Sequence, residues 1–101
     1  MDEKHGIETM MKYFQKSGLT EEQLSYDEAV IVYVLHERNA YMIGHTREQL
    51  ANEIRTLKEE NKIKHFDFGK LDEVVENLLT WRILDIEEEK IYLKEHVWGK
   101  V

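Results

Sequence analysis

The sequence predicts an α+β domain, mostly helical, that ends in a β-hairpin. Three observations carry this prediction: helix-start signals before two segments, a regular helical period over residues 71–79, and two short strand-like segments around Glu88-Glu89. A helix places apolar side chains every three or four residues, whereas a half-buried strand alternates them every second residue. The change from the first pattern to the second near Trp81 marks the passage from the helices to the hairpin.

Length, composition and charge set limits on the class of protein. A chain of 101 residues with 42% apolar side chains predicts a single domain with a modest core. The absence of cysteine excludes disulfide bonds and thiolate metal sites. No apolar run reaches the roughly 20 residues that a membrane span needs, and residues 1–5 lack the start of a secretion signal. We therefore expect a soluble, cytoplasmic protein that does not bind membranes, and the net charge of −7 agrees with this.

A short amphipathic helix is predicted from about Gly6 to Ser17-Gly18. Its apolar side chains follow the spacing of one helical face and are Ile7, Met10, Met11 and Phe14. This stripe either packs on its own domain or forms a dimer or partner surface, to which flexible methionines are suited. We divide the chain accordingly into an N-terminal helical extension, residues 1–19, and one compact domain, residues 20–101.

Capping boxes predict two further helices. In such a box a hydroxyl and a carboxylate or amide satisfy the free backbone donors at a helix start. Ser25 opens the first helix, whose apolar residues 29–35 are expected to be buried on several sides, although their β-branched side chains also suit a strand. Thr46 opens the second helix. Between the two, Tyr41–Ile43 is a candidate for a three-residue strand that ends at Gly44.

The clearest helical period follows Asp67, which is a candidate N-cap. The inward positions of this third helix are Leu71, Val74, Val75, Leu78 and Leu79. Residues 83–87 and 90–94 then form two predicted strands on either side of Glu88-Glu89. The side chains of the strands that are expected to face the core are Leu84, Ile86, Ile91 and Leu93.

The order helix, short strand, helix, helix, hairpin over about residues 25–95 resembles the winged helix-turn-helix superfamily. The resemblance rests on residues 46–51, which open the second helix, and on residues 78–84, which turn from the third helix into the hairpin. It implies a winged helix, with a three-helix core and the hairpin as its wing, in which the third helix enters the major groove of DNA and the wing touches the duplex. Many relatives have glycine where Trp81-Arg82 stands, because a positive backbone angle helps that turn.

The outward side chains of the third helix are poorly suited to DNA. They are Lys70, Asp72, Glu73, Glu76, Asn77 and Thr80. Only Lys70, Asn77 and Thr80 are residue types that commonly contact bases or phosphates, and the three carboxylates oppose the release of counterions on which DNA affinity depends. The tip of the wing adds Glu87, Glu88 and Glu89, which Lys90 alone opposes.

Basic residues gather instead around the end of the second helix and the connector after it. They are Arg55, Lys58, Lys62, Lys64, His65 and Lys70. Phosphate could dock there, although an ordinary solvated surface is the simpler interpretation. The five histidines show no metal-ligand spacing, and we find neither a phosphate-binding glycine loop nor a nucleophile with an activating neighbour. We therefore expect no metal, no cofactor and no enzymatic activity.

These observations favour a small protein that acts through protein contacts, as an accessory or adaptor subunit of a nucleic-acid-processing complex. Its partner is expected to be a protein with a basic surface. A second copy of the chain, forming a homodimer, is a further possible partner. The residues expected to bind the partner are Met10, Met11, Phe14, Trp98, Glu73, Glu76, Glu87, Glu88 and Glu89. The alternative is a dimeric DNA-binding transcription regulator. Its DNA contacts would come from Lys58, Lys62, Lys64, Lys70, Asn77, Thr80 and Lys90.

Overall fold

The computed structural model describes residues 3–16, 18 and 20–94. Within these residues the chain is α+β and mostly helical, with helices and one two-stranded antiparallel sheet. The elements are α1 (Glu3–Lys16), α2 (Tyr26–Glu37), α3 (Arg47–Glu59), a 3₁₀ turn (Phe68–Lys70), α4 (Leu71–Thr80), β1 (Leu84–Glu87) and β2 (Lys90–Leu93). The predicted fold class is confirmed at this level, and the order of the elements is compatible with a winged-helix-like layout.

Helix α2 lies at the centre of the domain. Its capping box is formed as predicted: the Glu28 amide donates to Ser25 Oγ (3.2 Å), and the Ser25 amide donates to Glu28 Oε1 (2.8 Å). Residues 29–35 are buried except for Tyr33, which is partly buried. Helices α1, α3 and α4 and strand β2 all pack against α2. The interpretation of this segment as a helix buried on several sides is therefore confirmed.

Helix α1 packs along α2 and contributes to the same core. Ile7, Met10 and Phe14 are buried there, and Met11 is partly buried. The chain after the helix is held to it, because the Leu24 amide donates to the Met11 carbonyl (3.0 Å). Of the two interpretations of the apolar stripe, the structure bears out packing on its own domain.

The loop between α2 and α3 is a turn, so the strand predicted at Tyr41–Ile43 is wrong. Asn39 adopts a left-handed conformation (φ 55°), and the amides of Met42 and Ile43 both donate to its carbonyl (3.2 Å each). Pairing with the hairpin occurs later, at His45, which exchanges two hydrogen bonds with Ile91 (3.0 and 2.7 Å). The loop is thus tied to β2 although it is not a strand.

Helix α3 begins and ends close to where the sequence predicts. Thr46 and Gln49 form the second capping box, and Leu50 and Ile54 are buried. After the helix, Asn61 turns into the left-handed region (φ 59°). Short polar side chains such as asparagine tolerate this conformation better than most residues, so the helix ends there at little cost.

Helix α4 differs from the prediction only at its start. Asp67 caps the 3₁₀ turn and not α4 itself, since its Oδ1 atom accepts a hydrogen bond from the Gly69 amide (3.0 Å). On the inner face of α4, Val74, Val75 and Leu78 are buried. The predicted inward side chains at residues 71 and 79 are partly buried.

The end of α4 places an arginine in a backbone conformation that favours glycine. Arg82 has a φ of 61°, and its amide donates to the Leu79 carbonyl while the Ile83 amide donates to the Leu78 carbonyl (3.0 Å each). This pair of bonds is the Schellman arrangement, in which the left-handed residue is usually glycine. The turn that the sequence left in doubt at Trp81-Arg82 is therefore formed without glycine.

Strands β1 and β2 pair in the register that places Ile86 opposite Ile91. Glu88 and Glu89 form the two-residue turn with φ values of 51° and 67°, as a type I′ turn requires. Leu84, Ile91 and Leu93 face the core as predicted. Ile86 shares this face with its partner Ile91, but it lies on the outer edge strand and stays 38% exposed, so it is not buried with the other three. On that edge, its amide donates to Asp85 Oδ1 (3.0 Å).

Gly44 allows the loop before α3 to press onto β2. A Cβ atom at this position would lie 2.6 Å from Lys90 Cβ and 2.6 Å from Tyr92 Cζ. Real Cβ atoms essentially never approach so closely, and Lys90 Cβ is attached directly to the backbone of β2, so it cannot move aside without the strand. The close contact between loop and strand therefore depends on the missing side chain.

We expect Arg82→Gly to stabilise the domain by about 1 kcal/mol, because glycine removes the left-handed strain and loses only part of this gain to its freer unfolded chain. Equilibrium unfolding in urea measures the change. Arg82→Ala is the control, since it removes the guanidinium but keeps the strained Cβ. An equal gain in both variants would show that the side chain, and not the backbone, causes the effect.

We expect Gly44→Ala to destabilise the domain by about 1–3 kcal/mol, because the added methyl group overpacks the contact with β2. The same urea experiment measures it. Gly69→Ala serves as the control, since a Cβ there meets only Asp67 Oδ1, at 3.2 Å. Equal effects of the two alanine substitutions would contradict the role assigned to the loop contact.

Candidate partner-binding surface

The outward face of α4 carries the side chains that the sequence predicts there. All of them are exposed: Lys70, Asp72, Glu73, Glu76, Asn77 and Thr80. The Thr80 hydroxyl donates to the Glu76 carbonyl of its own helix (3.0 Å), so this donor is already used within α4. The face therefore offers mainly carboxylates, with Lys70 and Asn77 at its edges.

Arg47, the first residue of α3, lies against the carboxylates of α4. Its Nη2 atom donates to Glu76 Oε1 (3.2 Å), and its Nε atom lies 3.2 Å from Asp72 Oδ1 in an ion pair that lacks hydrogen-bond geometry. Both contacts are largely exposed, so each is worth little in stability. Their consequence is electrostatic, because the positive charge of Arg47 is directed at the protein's own acids.

The hairpin adds a second acidic surface. Glu87, Glu88 and Glu89, here called the acidic tip, are exposed, together with Lys90. Asp85 is also exposed on β1. Residues 85–90 thus hold four carboxylates and one ammonium group. This surface attracts cationic groups and repels phosphate, most strongly at low ionic strength.

The basic residues do not form one open patch. Lys62 pairs with Glu60 (3.0 Å), and Lys64 pairs with Glu8 of α1 (2.9 Å). The hydrogen bond to Glu8 raises the pKa of Lys64, so this amine stays charged. Both lysines predicted for DNA binding in the connector therefore have an acidic partner.

Two other cations surround an aromatic ring. Arg55 Cζ and Lys58 Nζ lie 5.3 and 5.7 Å from the centroid of the Phe68 ring, and both side chains are exposed. Such contacts are worth about 0.5–1 kcal/mol when exposed. Among the residues that the structure describes, no carboxylate is in ion-pair contact with either cation of this pair.

The apolar anchors predicted on α1 need correction. Met10 is 6% exposed and Phe14 is fully buried, because their side chains fill the space between α1 and α2. They cannot contact a partner while the domain stays folded in this way. Met11 is partly buried, and Trp98 lies outside the described residues.

The structure exposes other large apolar side chains. They are Met42 (80%), Ile43 (58%), Trp81 (39%) and Ile86 (38%). Sequence reasoning missed Met42 and Ile43 as surface groups because it assigned them to a strand. The signal that could have found them is Asn39, three residues before Met42, since asparagine favours a turn and a turn would have excluded the predicted strand.

Hydrogen bonds hold the loop that carries Met42 and Ile43. The Tyr41 hydroxyl is bonded to His36 Nδ1 (2.9 Å), and His45 Nδ1–H donates to the Ile43 carbonyl (3.0 Å). Burial raises the pKa of the Tyr41 phenol, and the neighbouring Tyr13 adds to this shift. The loop is thus presented in one defined shape.

A cleft of about 400 Å³ lies between the start of α2, the connector and α4. His65 Nδ1 is 3.5 Å from Asp27 Oδ1 at this cleft, and the Tyr26 hydroxyl accepts a bond from the Lys64 amide (2.9 Å). Lys70 and Asn77 line it too. Acids and bases are mixed, so the cleft favours no ligand charge. Among the described residues no cluster of three or more His, Asp or Glu side chains could hold a metal ion.

Comparisons with protein-family models, with curated proteins and with solved structures found no match. Within the described part of the chain, no helix has both the length and the apolar character that crossing a membrane requires.

We expect the stability of the domain to fall as the pH rises above about 10, with Tyr41 as one cause. Its pKa is raised from 10.0 in the folded state, so its contribution is fully present below that value and is lost as the pH rises through the folded pKa. Tyr41→Phe should flatten this alkaline decline, as measured by urea unfolding at several pH values. Parallel pH profiles of the two proteins would contradict the prediction.

Proposed function

We propose that this protein is a small winged-helix module that acts through protein contacts, as an accessory or adaptor subunit of a nucleic-acid-processing complex. The observation that carries the proposal is the outward face of α4, where Arg47 is paired with Asp72 and Glu76. In a DNA-binding winged helix, a cation beside the reading helix would be directed at phosphate. Here it balances carboxylates that phosphate would have to approach.

The charges elsewhere support the same proposal. The acidic tip lies on the hairpin, which is the second element that winged-helix proteins bring to a duplex. A duplex seated on both elements would meet Glu73 and the three glutamates of the tip at once, with few cations to displace its counterions. A protein partner with lysine and arginine side chains meets no such barrier, because the same charges then steer the encounter.

The nucleic-acid context of the proposal comes from the resemblance of the element order to winged helices. Protein modules of this layout serve many functions, so the layout alone does not select one. The exposed apolar side chains on the loop after α2 and near the hairpin favour a binding role, since they supply contact area that the domain's own core leaves unused.

A DNA-binding regulator is the second candidate. It is favoured by the exposed Lys70, just before α4, by the exposed Asn77 on α4, and by the Arg55 and Lys58 pair around Phe68. Asparagine and lysine are residues that read adenine and guanine in the major groove. This candidate requires that the attraction of the basic groups for phosphate exceed the repulsion by the carboxylates between them.

Titration of a fluorescent DNA duplex separates the two candidates. At about 50 mM salt we expect no binding at tens of micromolar protein, because few phosphates can be neutralised. Micromolar affinity that weakens steeply with salt and is lost in Arg55→Glu with Lys58→Glu would establish the DNA-binding candidate instead.

Reversing the charge of the acidic tip provides a positive test. We expect Glu87→Lys, Glu88→Lys and Glu89→Lys together to create measurable, salt-dependent DNA affinity, because three cations then face the duplex. The control reverses three exposed glutamates elsewhere, Glu21, Glu22 and Glu37, and changes the net charge equally. Equal affinity gains in both triple variants would mean that net charge, and not the hairpin surface, governs binding.

A further inference from the structure

The loop after α2 and the outer face of the hairpin form one continuous surface. Gly44 packs against Lys90 and Tyr92, which alternate along β2 with the buried Ile91 and Leu93. Paired residues of an antiparallel ladder share a face, so Asp85 and Glu87, the partners of Tyr92 and Lys90, lie beside them. Exposed apolar groups on the loop therefore adjoin the acidic hairpin.

From this arrangement we propose that the surface formed by Met42, Ile43, Tyr92, Asp85 and the acidic tip binds a basic, amphipathic segment of another protein. The inference rests on the proposed function and names the binding surface and the chemistry of the partner. Apolar side chains of the segment cover Met42 and Ile43, while its lysine or arginine side chains face the carboxylates. Burial of the apolar groups supplies affinity, and the charges supply speed and selectivity.

The loop is suited to binding because it is held before the partner arrives. Its ends are bonded to β2: the Leu93 amide donates to the Ala40 carbonyl (2.9 Å), and His45 exchanges two bonds with Ile91. Inside the loop, the Met42 and Ile43 amides share the Asn39 carbonyl. A surface that is already ordered loses little conformational entropy on binding.

Charge complementarity distinguishes the basic segment from other occupants. Nucleic acid and anionic membranes both bring negative charge toward the four carboxylates of residues 85–90, a segment in which Lys90 is the one basic residue. A second copy of this chain, docked through the same face, would bring two acidic tips together. A cationic, partly apolar peptide is the occupant that satisfies both halves of the surface.

The test uses a labelled helical peptide that carries leucine on one face and lysine on the other. A peptide of equal length with glutamate in place of lysine is the control probe. We expect the lysine peptide to bind the full chain and to shift the amide resonances of residues 41–45 and 85–92, whereas the glutamate peptide does not bind. Affinity is measured by fluorescence anisotropy at low and high salt. Resonance shifts confined to α4 or to the surroundings of Trp81 would overturn the proposal.

Two sets of variants test the apolar loop and the acidic tip of the surface separately. We expect Met42→Ser with Ile43→Ser to weaken peptide binding about tenfold or more. The urea midpoint should stay unchanged, since both side chains are exposed. We expect lower peptide affinity, and a smaller change of affinity with salt, in the triple variant Glu87→Gln, Glu88→Gln and Glu89→Gln. Trp81→Ser, which removes another exposed apolar group, is the matched control and should bind as the wild type does.

Three outcomes would each overturn a different part of the proposal. If the glutamine variant weakens binding and the serine variant does not, the apolar loop has no role and this inference fails while the proposed function stands. If sedimentation detects a dimer that the serine variant abolishes, the occupant is a second copy. If duplex DNA shifts the same resonances with high affinity, the proposed function fails as well.

Discussion

The burial of α2 is the constraint on which the rest of the domain depends. Residues 29–35 are apolar on nearly every side, so this helix gains stability only when it is covered all round. Helices α1, α3 and α4 and strand β2 provide that cover. Covering α2 buries the apolar stripe of α1, including Phe14. The outer faces of α4 and of the hairpin stay exposed and carry charged groups. The acidic surface is thus what remains after the core has been assembled.

Local signals predicted the helices, whereas the exceptions were decided by contacts distant in sequence. Capping boxes at Ser25 and Thr46 work within four residues, so the sequence displays them directly. The turn at residues 41–43 has a local signal in Asn39, but its place against β2 comes from the bonds between His45 and Ile91. The exposure of Ile86 depends on its strand lying at the outer edge of the sheet, which no local pattern shows.

The same distinction applies to the candidate surface. The outward carboxylates of α4 follow from helical period alone, and the structure places them as predicted. Their pairing with Arg47 and the pairing of Lys64 with Glu8 join residues far apart in the chain, so sequence reasoning counted Lys64 as open and gave Arg47 no place at this face. Backbone strain adds an independent hint, because Glu88 and Glu89 occupy left-handed positions where Asn-Gly would fold more easily. Strain retained in this way is typical of functional segments.

The carboxylate of Asp85 has a further consequence for the outer margin of the sheet. An unpaired strand margin is a template on which another chain can add a strand, and natural proteins commonly block it with charge. Here the acid occupies the Ile86 amide, a donor that an incoming strand would need. This contact therefore works against the growth of sheets between molecules at the outer strand of the hairpin.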